Sequence, residues 1–583
     1  MNHQPNTADI QFILHNVLQV PAQLQALAPF ADTDGELMQQ VLEEAARFVA
    51  DKIAPLRRDG DEIGAHFANG TVTMPPGSKE AYQEFWQNGW AALSCSPDDG
   101  GQGLPEVLNQ VLYEMLSAAN HGWTMAPGLL HGAYECIKHH ASPPLKAAYL
   151  PKVATGEWLA TMCLTEAHAG SDLGLVRTKG VPQPDGSVRV SGSKIFISGG
   201  EHDLTDNIIH LVLARLPDAP AGPKGLSLFL VPKMLPHVHQ PGALGERNAV
   251  VCERIEEKMG LHGSPTCVMR FDDATGWLVG EPHKGLDAMF VMMNAARLHV
   301  GLQGIGLLEA AWQKASAYAQ ERRQMRAPGA TEPVSLIHDH PAIRRILHTQ
   351  RAWIDGGRVL AYHTALQLDV ARHHPDASER ASAQRWCALV TPVLKAALTD
   401  QGFQGASACL QVFGGHGYVR EWGVEQIVRD ARVSMIYEGT NEIQAIDLLV
   451  RKVLADGGQG LGALLGSLPG AAPSAAASAR RHALVEITQT LAIAAQSDPE
   501  LPYWVADDYL RAVALVLLEW AWAQIGAARP HRAEQSTAAT DRWTPPAQAF
   551  AQWVLPEFDL RTTILRQRIA QAFEFRPQEA ASA

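Results

Sequence analysis

The period of the hydrophobic pattern changes twice along this chain, and any fold has to accommodate both changes. Leu37, Val41, Leu42, Ala45, Phe48 and Val49 recur at helical spacing behind the capping stretch Asp32-Thr33-Asp34. Helical composition continues at 107–120, 129–139 and 145–150. Near residue 160 the spacing becomes alternate, and 188–198, 208–213, 226–231 and 267–271 read as short strands separated by Gly and Pro. From residue 285 helical spacing returns, first in a proline-free run to 323 and then at 341–373, 378–402 and 405–412. Short strands enclosed between helical blocks predict a small barrel or sandwich flanked by helical domains. The expected fold class is α+β. An N-terminal extension (1–34) precedes a helical domain (35–159), a middle β-barrel (160–284) and a C-terminal four-helix bundle (285–455). A tail (456–583) begins with a Gly/Ala/Pro/Ser linker at 457–477 and ends in further helices.

Composition narrows the function classes. A chain of 583 residues is too long for one core, and 46% hydrophobic with 19% charged residues describes a globular protein. A net charge of −13 argues against a nucleic-acid backbone as the main partner. The seven cysteines include no CxxC pair, which suits buried thiols in a reducing compartment. The N-terminus carries no basic n-region, and the most apolar window, 512–523, is short and broken by Glu519. It reads as a buried helix, so no membrane insertion is expected and the predicted location is cytoplasmic.

Neither GxxxxGK[ST] nor a strand-linked GxGxxG occurs. His338 and His340 are not at helical ligand spacing, so no metal site is expected there. Ser171 and Asp172 lie too close to His168 in one segment to form a relay with it. Three other stretches carry chemistry. In Tyr437-Glu438-Gly439-Thr440-Asn441 a single carboxylate stands before an apolar helix that Thr440 or Asn441 would cap. Held against Tyr437 and Ile436 it would be partly desolvated, as a base working near neutral pH requires. Residues 162–172 run from a strand end into a loop whose amides and hydroxyls suit a polar cofactor. The glycine cluster 414–417 lets backbone approach a ligand closely.

Together, "MCLTEAHAGSDLG", "GSKIFISGG", "AQERRQ", "QVFGGHGYVREW…RDAR" and "IYEGTNEIQ" occur in an order and at spacings that resemble the acyl-CoA dehydrogenase family over roughly residues 35–455. "TGWLVGEPHKGLDAMFVMMNAARLHVGLQG" is closest to a longer branch of it, which includes methylthiopropionyl-CoA and broad-range fatty acyl-CoA dehydrogenases. The resemblance implies an FAD enzyme of fatty-acid β-oxidation that converts an acyl-CoA thioester to the trans-2-enoyl-CoA. Glu438 then removes the α-proton, the β-hydride passes to flavin N5, and an electron-transfer flavoprotein takes the electrons. It assigns Met162, Leu164, Thr165, Gly170, Ser171, Phe196 and Ser198 to the flavin and its pyrophosphate. Phe196 replaces a common tryptophan and Ser198 a common threonine. Arg322, Met325, Gln411 and Gly415 match positions that bind the far end of FAD across a dimer interface, which implies a homodimer. Thr440 and Glu442 match flavin-side residues. Ser171, Asn294, Arg297, Tyr437 and Gly439 match substrate-side positions, with Asn294 in place of a common aspartate. Some members carry the base immediately before the substrate-side arginine. Here that residue is Ala296, which leaves Glu438 as the candidate. An acyl-CoA oxidase using O₂ shares the scaffold. A DNA-associated flavoprotein of related architecture would need a basic tail, whereas residues 456–583 are slightly acidic and contain no lysine.

Overall fold

A computed structural model describes residues 3–237, 243–529 and 541–574. The first two residues of the expected extension, and 530–540 and 575–583 of the expected tail, lie outside the described residues. The described residues form two compact units, those within 3–5 and 44–299, and those within 6–43 and 300–574.

The first unit joins helices to strands. The helices are α1 (Glu106–Thr124), α2 (Leu130–His140) and α3 (Pro143–Thr155). α1 is buried along its whole length, polar side chains such as Glu106, Asn109, Gln110 and Glu114 included. The strands are β1 (Leu159–Cys163), β2 (Lys179–Pro182), β3 (Val188–Ser198), β4 (Ile208–Arg215), β5 (Leu226–Pro232), β6 (Val250–Ile255) and β7 (Thr266–Val279). They run in the order β6-β7-β3-β2-β4-β1, and β5 pairs with both β7 and β4, closing the sheet into a barrel. The alternation in β3 places Val188, Val190 and Lys194 inside. A register shift against β7 then inserts an extra residue between Lys194 and Ile197. This bulge moves Ile197 to the interior and turns Phe196 outward.

Residues 285–299 of α4 (Gly285–Glu321) complete this unit, and the helix continues into the second. There it packs with α5 (Pro341–His373) and α6 (Ala377–Val412), with Gly357 against Ile305 and Gly304 against Leu398, and α6 packs in turn with a helix opened by α8 (Asn441–Ile446), reached through α7 (Val424–Arg432). α6 is continuous where two helices were expected. Gly402 does not break it, because the residue serves close packing: a Cβ there would fall 2.8 Å from Gly304 Cα on α4. The helix Gly35–Phe48 buries Leu42, Ala45 and Phe48 of the expected stripe, with Val49 just beyond it, but at its start turns Met38 inward and leaves Leu37 exposed.

The expected linker holds a short helix, Gln459–Gly466, because Leu461, Leu464 and Leu465 are buried. Beyond it α9 (Ala475–Ser497), α10 (Leu501–Ala528) and α11 (Glu557–Glu574) pack together. α10 is the one helix among the described residues long and apolar enough to cross a membrane, and 78% of its apolar window is buried inside the protein. Its Glu519 is paired with Arg480. Trp522 donates to Ala352 O on α5 at 3.2 Å, so the appended helices share the core of the bundle. The N-terminal segment joins the same unit through charge. Asp9 meets Arg351 at 2.8 Å and Arg542 at 2.7 Å, and Arg351 also pairs with Glu309 and Asp355.

Candidate active site

In the second unit, a turn at Val433–Met435 follows α7 and delivers Ile436–Thr440 to the start of α8. Thr440 is the N-cap, its Oγ1 accepting from Ile443 N, and its hydroxyl holds the Glu442 carboxyl below the ordinary range. Glu438 and Gly439 both adopt left-handed backbone, at φ 56° and 85°. For a glutamate this conformation is costly and persists only where neighbours impose it. Three side chains do so. Gln444 Nε2 donates to Glu438 O at 3.0 Å, and Lys395 Nζ donates to Gly439 O at 2.8 Å and to Asn441 Oδ1 at 2.9 Å. Asn441 in turn donates to Ala396 O, at 3.1 Å. Of the two neighbours expected to cover Glu438, Tyr437 is seated, its hydroxyl donating to Gln303 Oε1, while Ile436 is 51% exposed. Burial, and then the charge of Glu438, push the Tyr437 phenol well up, so it stays a donor.

Lys395 escaped the sequence reading. Its only signal is a lone cation in the apolar run Val393–Leu398 of α6, and it is completely buried.

On the same unit, Arg322 and Met325 stand exposed at the end of α4. Met325 is 76% exposed at φ 55°, held by Ser335 N donating to Met325 O. Tyr318, one turn before Arg322, donates to or accepts from His416 Nδ1 at 2.9 Å and stacks on Phe413. Trp422 stacks on His416 at 4.6 Å. This aromatic cluster, also missed from sequence, fixes the turn after Gln411 next to the end of α4. Gly414 and Gly415 in that turn are exposed, and a Cβ on either would meet nothing within 4 Å.

In the first unit, β1 ends at Cys163 and leads into Leu164 and Thr165, both half-buried, while Met162 is buried in the strand. Thr165 O accepts from Ile195 N at 2.9 Å, which ties this strand end to the bulge of β3. There Phe196 is 61% exposed at φ 60°, two residues before the half-buried Ser198. The loop beyond is anchored by Glu166, which accepts from Arg177 N, Thr178 N and Thr178 Oγ1 at 2.8, 3.0 and 2.6 Å. Buried Lys194 spans Glu166 and Leu164 O, each at 2.9 Å. Gly170, Ser171 and Asp172 are left exposed, with nothing within 4 Å of a Cβ built on Gly170. An outward ring, two hydroxyls and open backbone on one shelf fit a flat aromatic cofactor with a polar tail. Of the seven residues expected at the flavin, Leu164 and Thr165 lie at the strand end tied to the bulge that carries Phe196 and Ser198, while Met162 is buried in β1 and Gly170 and Ser171 lie on the exposed loop.

Burial alone would raise Glu166, but Lys194, Thr178 and the Arg177 amide outweigh it and bring the carboxyl down to about 2. A folded-state value below the unfolded one, 4.5, means stability that is complete above about pH 4.5 and is lost as pH falls toward 2. Glu166→Gln leaves Lys194 uncompensated and should cost about 3–5 kcal/mol at pH 7. The gap in Tm between wild type and this variant should then narrow below pH 4.5. A gap constant from pH 7 to pH 3 would show that the pair does not anchor the loop.

On α4, Arg297 is buried with its Nη1 3.4 Å from Oδ1 of exposed Asn294. Ala296 beside it lines a cavity closed by α1, the start of α2 and α4. Among the described residues no group of three or more His, Cys, Asp or Glu is placed to hold a metal ion.

Family models match in sequence along the chain: the acyl-CoA dehydrogenase N-terminal domain over 36–157, the middle domain over 161–274 and the C-terminal domain over 283–453. A 3-methylmercaptopropionyl-CoA dehydrogenase of Ruegeria pomeroyi is 45% identical over 79% of this chain and 78% of its own length. A broad-specificity linear acyl-CoA dehydrogenase of Mycobacterium tuberculosis is 36% identical over 79% and 77%. Among solved structures, Caenorhabditis elegans ACDH-11 in complex with C11-CoA matches with a TM-score of 0.74 at 18% identity, over 96% of this chain and 94% of that one. The Bacillus anthracis acyl-CoA dehydrogenase complexed with FAD gives 0.73 at 20%, over 92% and 91%. Matched through all three of its domains and by relatives of this identity, the chain belongs to the acyl-CoA dehydrogenase family, FAD-dependent oxidoreductases acting on CH–CH bonds.

Proposed function

We propose that this protein oxidises a short acyl-CoA thioester to its trans-2-enoyl-CoA, with Glu438 as the α-proton base. The observation that carries the reading is the Glu438–Gly439 turn, where a carboxylate-bearing residue is held in left-handed backbone by Lys395 and Gln444. Such strain persists where the surroundings over-determine it, which is common at sites of chemistry. Ala296, where other members carry their base, has no proton acceptor. The relative at 45% identity is named for a short acyl chain, which supports the substrate class.

An α C–H beside a thioester is a weak acid, so negative charge on the carbonyl must be stabilised as it develops. The Glu438 backbone N–H donates to that carbonyl, and the Glu438 carboxylate takes the proton. Tyr437, protonated and fixed on Gln303, steadies the residue that follows it, Glu438. Asn294 and Arg297 bind the CoA side of the substrate. FAD, when bound, accepts the β-hydride. Leu164, Thr165, Phe196 and Ser198 seat its ring, and Met162, Gly170 and Ser171 its adjoining backbone contacts. Thr440 and Glu442 complete the flavin side. Arg322, Met325, Gln411 and Gly415 lie on exposed segments and reach the far end of FAD in a second copy, making the working form a homodimer. Electrons pass to an electron-transfer flavoprotein. A cytoplasmic location agrees with cysteines that are free and mostly buried.

Anaerobic mixing of the FAD-loaded protein with butyryl-CoA should bleach the flavin, and admitting air should restore its colour slowly. Rapid reoxidation with product bound would identify an oxidase instead, and no bleaching with any acyl-CoA would remove the reading.

A further inference from the structure

Two helices of the bundle grip the turn that carries Glu438. α6 reaches Gly439 O and Asn441 through Lys395. α4 reaches the residue before the base, where the Tyr437 hydroxyl donates to Gln303 Oε1. Gln303 is 4% exposed and stands between Gly301 and Gly304, at a close approach of α4 to α6. A Cβ on Gly304 would fall 2.4 Å from Leu398 O, and one on Gly301 would fall 3.3 Å from Leu394 O. The backbone around Gln303 is thereby locked against α6, so its carbonyl is a fixed acceptor that does not follow the phenol.

A phenol has one proton to donate, and burial together with the charge of Glu438 keeps that proton on Tyr437. Donated to Gln303, it is not available to the Glu438 carboxylate. A hydrogen bond to a carboxylate favours the charged form and makes it a weaker base. Abstraction of an α-proton near neutral pH needs the reverse. Glu438 is the charge that acts on the phenol, so without Gln303 it is the acceptor to which the buried hydroxyl would turn. Resting on the proposed role of Glu438 as the base, we infer that Gln303 is a positioning residue for the reaction. By accepting the Tyr437 hydroxyl it keeps the phenol from donating to the Glu438 carboxylate, which stays a strong enough base.

The charged groups around the turn are committed to other partners. Lys395 of α6 is held on Gly439 O and Asn441, Arg432 of α7 lies over the Phe403 ring at 5.7 Å, and Thr440 holds Glu442 of α8. On α10, which packs on α8, Arg511 turns to Asp400 and Glu557, and Asp508 to Arg561, with Asp507 in the same cluster.

The pH profile of anaerobic flavin bleaching by butyryl-CoA, recorded on the FAD-loaded protein, tests the inference. Bleaching slows on the acid side as the base becomes protonated. Gln303→Leu should move that acid limb down by about one pH unit and lower the plateau by up to about tenfold. Tyr437→Phe has no phenolic proton to misplace, so its limb should stay within about 0.3 units of the wild type, whatever its plateau. Adding Gln303→Leu to Tyr437→Phe should move the limb no further. Infrared difference spectra between each protein and its Glu438→Gln counterpart, taken without substrate, should show the Glu438 carboxyl titrating about one unit lower in Gln303→Leu. A limb left in place by Gln303→Leu, even with a slower rate, overturns the inference alone. So does an upward shift in Tyr437→Phe, which would show the phenol already donating to Glu438 in the wild type. That comparison decides the matter if Gln303→Leu fails to fold. Bleaching at the wild-type rate by Glu438→Gln would overturn the base reading, and the inference with it.

Discussion

Glu438→Gln should retain FAD and bind acyl-CoA while losing turnover by at least the roughly 10²–10⁴-fold expected of a positioned acid–base group. The amide fills the same space and leaves the backbone untouched. The donors from Gln444 to Glu438 O and from Lys395 to Gly439 O therefore remain, and the turn keeps its left-handed conformation. Binding through the backbone N–H of this residue is likewise preserved. What disappears is the one atom pair able to accept the α-proton, and Ala296 offers no substitute. Stopped-flow mixing with butyryl-CoA is the measurement: the flavin spectrum should shift as ligand binds but fail to bleach. Bleaching at the wild-type rate would remove Glu438 from the mechanism.

The second large effect is expected at Lys395. Lys395→Met removes a fully buried cation and leaves Gly439 O and Asn441 Oδ1 without their donor. Each buried polar group left unpaired costs about 1–3 kcal/mol, and Thr399 Oγ1, at 3.2 Å from Asn441 Oδ1, relieves only one of them. The global fold should survive that loss, but of the donors to the Glu438–Gly439 carbonyls only Gln444 is then left. A displacement of about 1 Å in a catalytic group costs on the order of 10²-fold in rate, so kcat should fall by about that factor with a smaller change in KM. A double variant separates this positioning role from a general loss of stability. If Lys395 acts through Glu438, adding Lys395→Met to Glu438→Gln should lower the residual turnover little further. Losses that multiply would place Lys395 in some other step.

The sites differ in how legible they were. Glu438, Thr440 and the strand end at Leu164–Thr165 could be found because they are local: a carboxylate, a cap and a turn lie within a few residues of one another. Phe196 was named through the family resemblance, but its outward position was not readable. Strict alternation from Lys194 would have buried it, and only the register against β7 shows the inserted residue that turns it out. Lys395, His416 and Trp422 were not readable at all, since each matters for what it touches 44 or more residues away in sequence. Gly402 misled for the same reason. Taken locally it weakens a helix, whereas in the bundle it admits the backbone of α4.

By itself the sequence determined the α-β-α order, the presence of an appended helical segment and a candidate base, Glu438. Those properties follow from hydrophobic period, turn chemistry and the identity of single side chains, all of which act over short distances along the chain. Tertiary structure alone decided that the N-terminal segment and the appended helices share one unit with the bundle, and that buried Lys395 holds the Glu438–Gly439 turn. It also decided that Gln303 accepts the Tyr437 hydroxyl. Each depends on which distant segments exclude water from one another, and a buried charge or lone pair takes its meaning only from the partner that closure supplies.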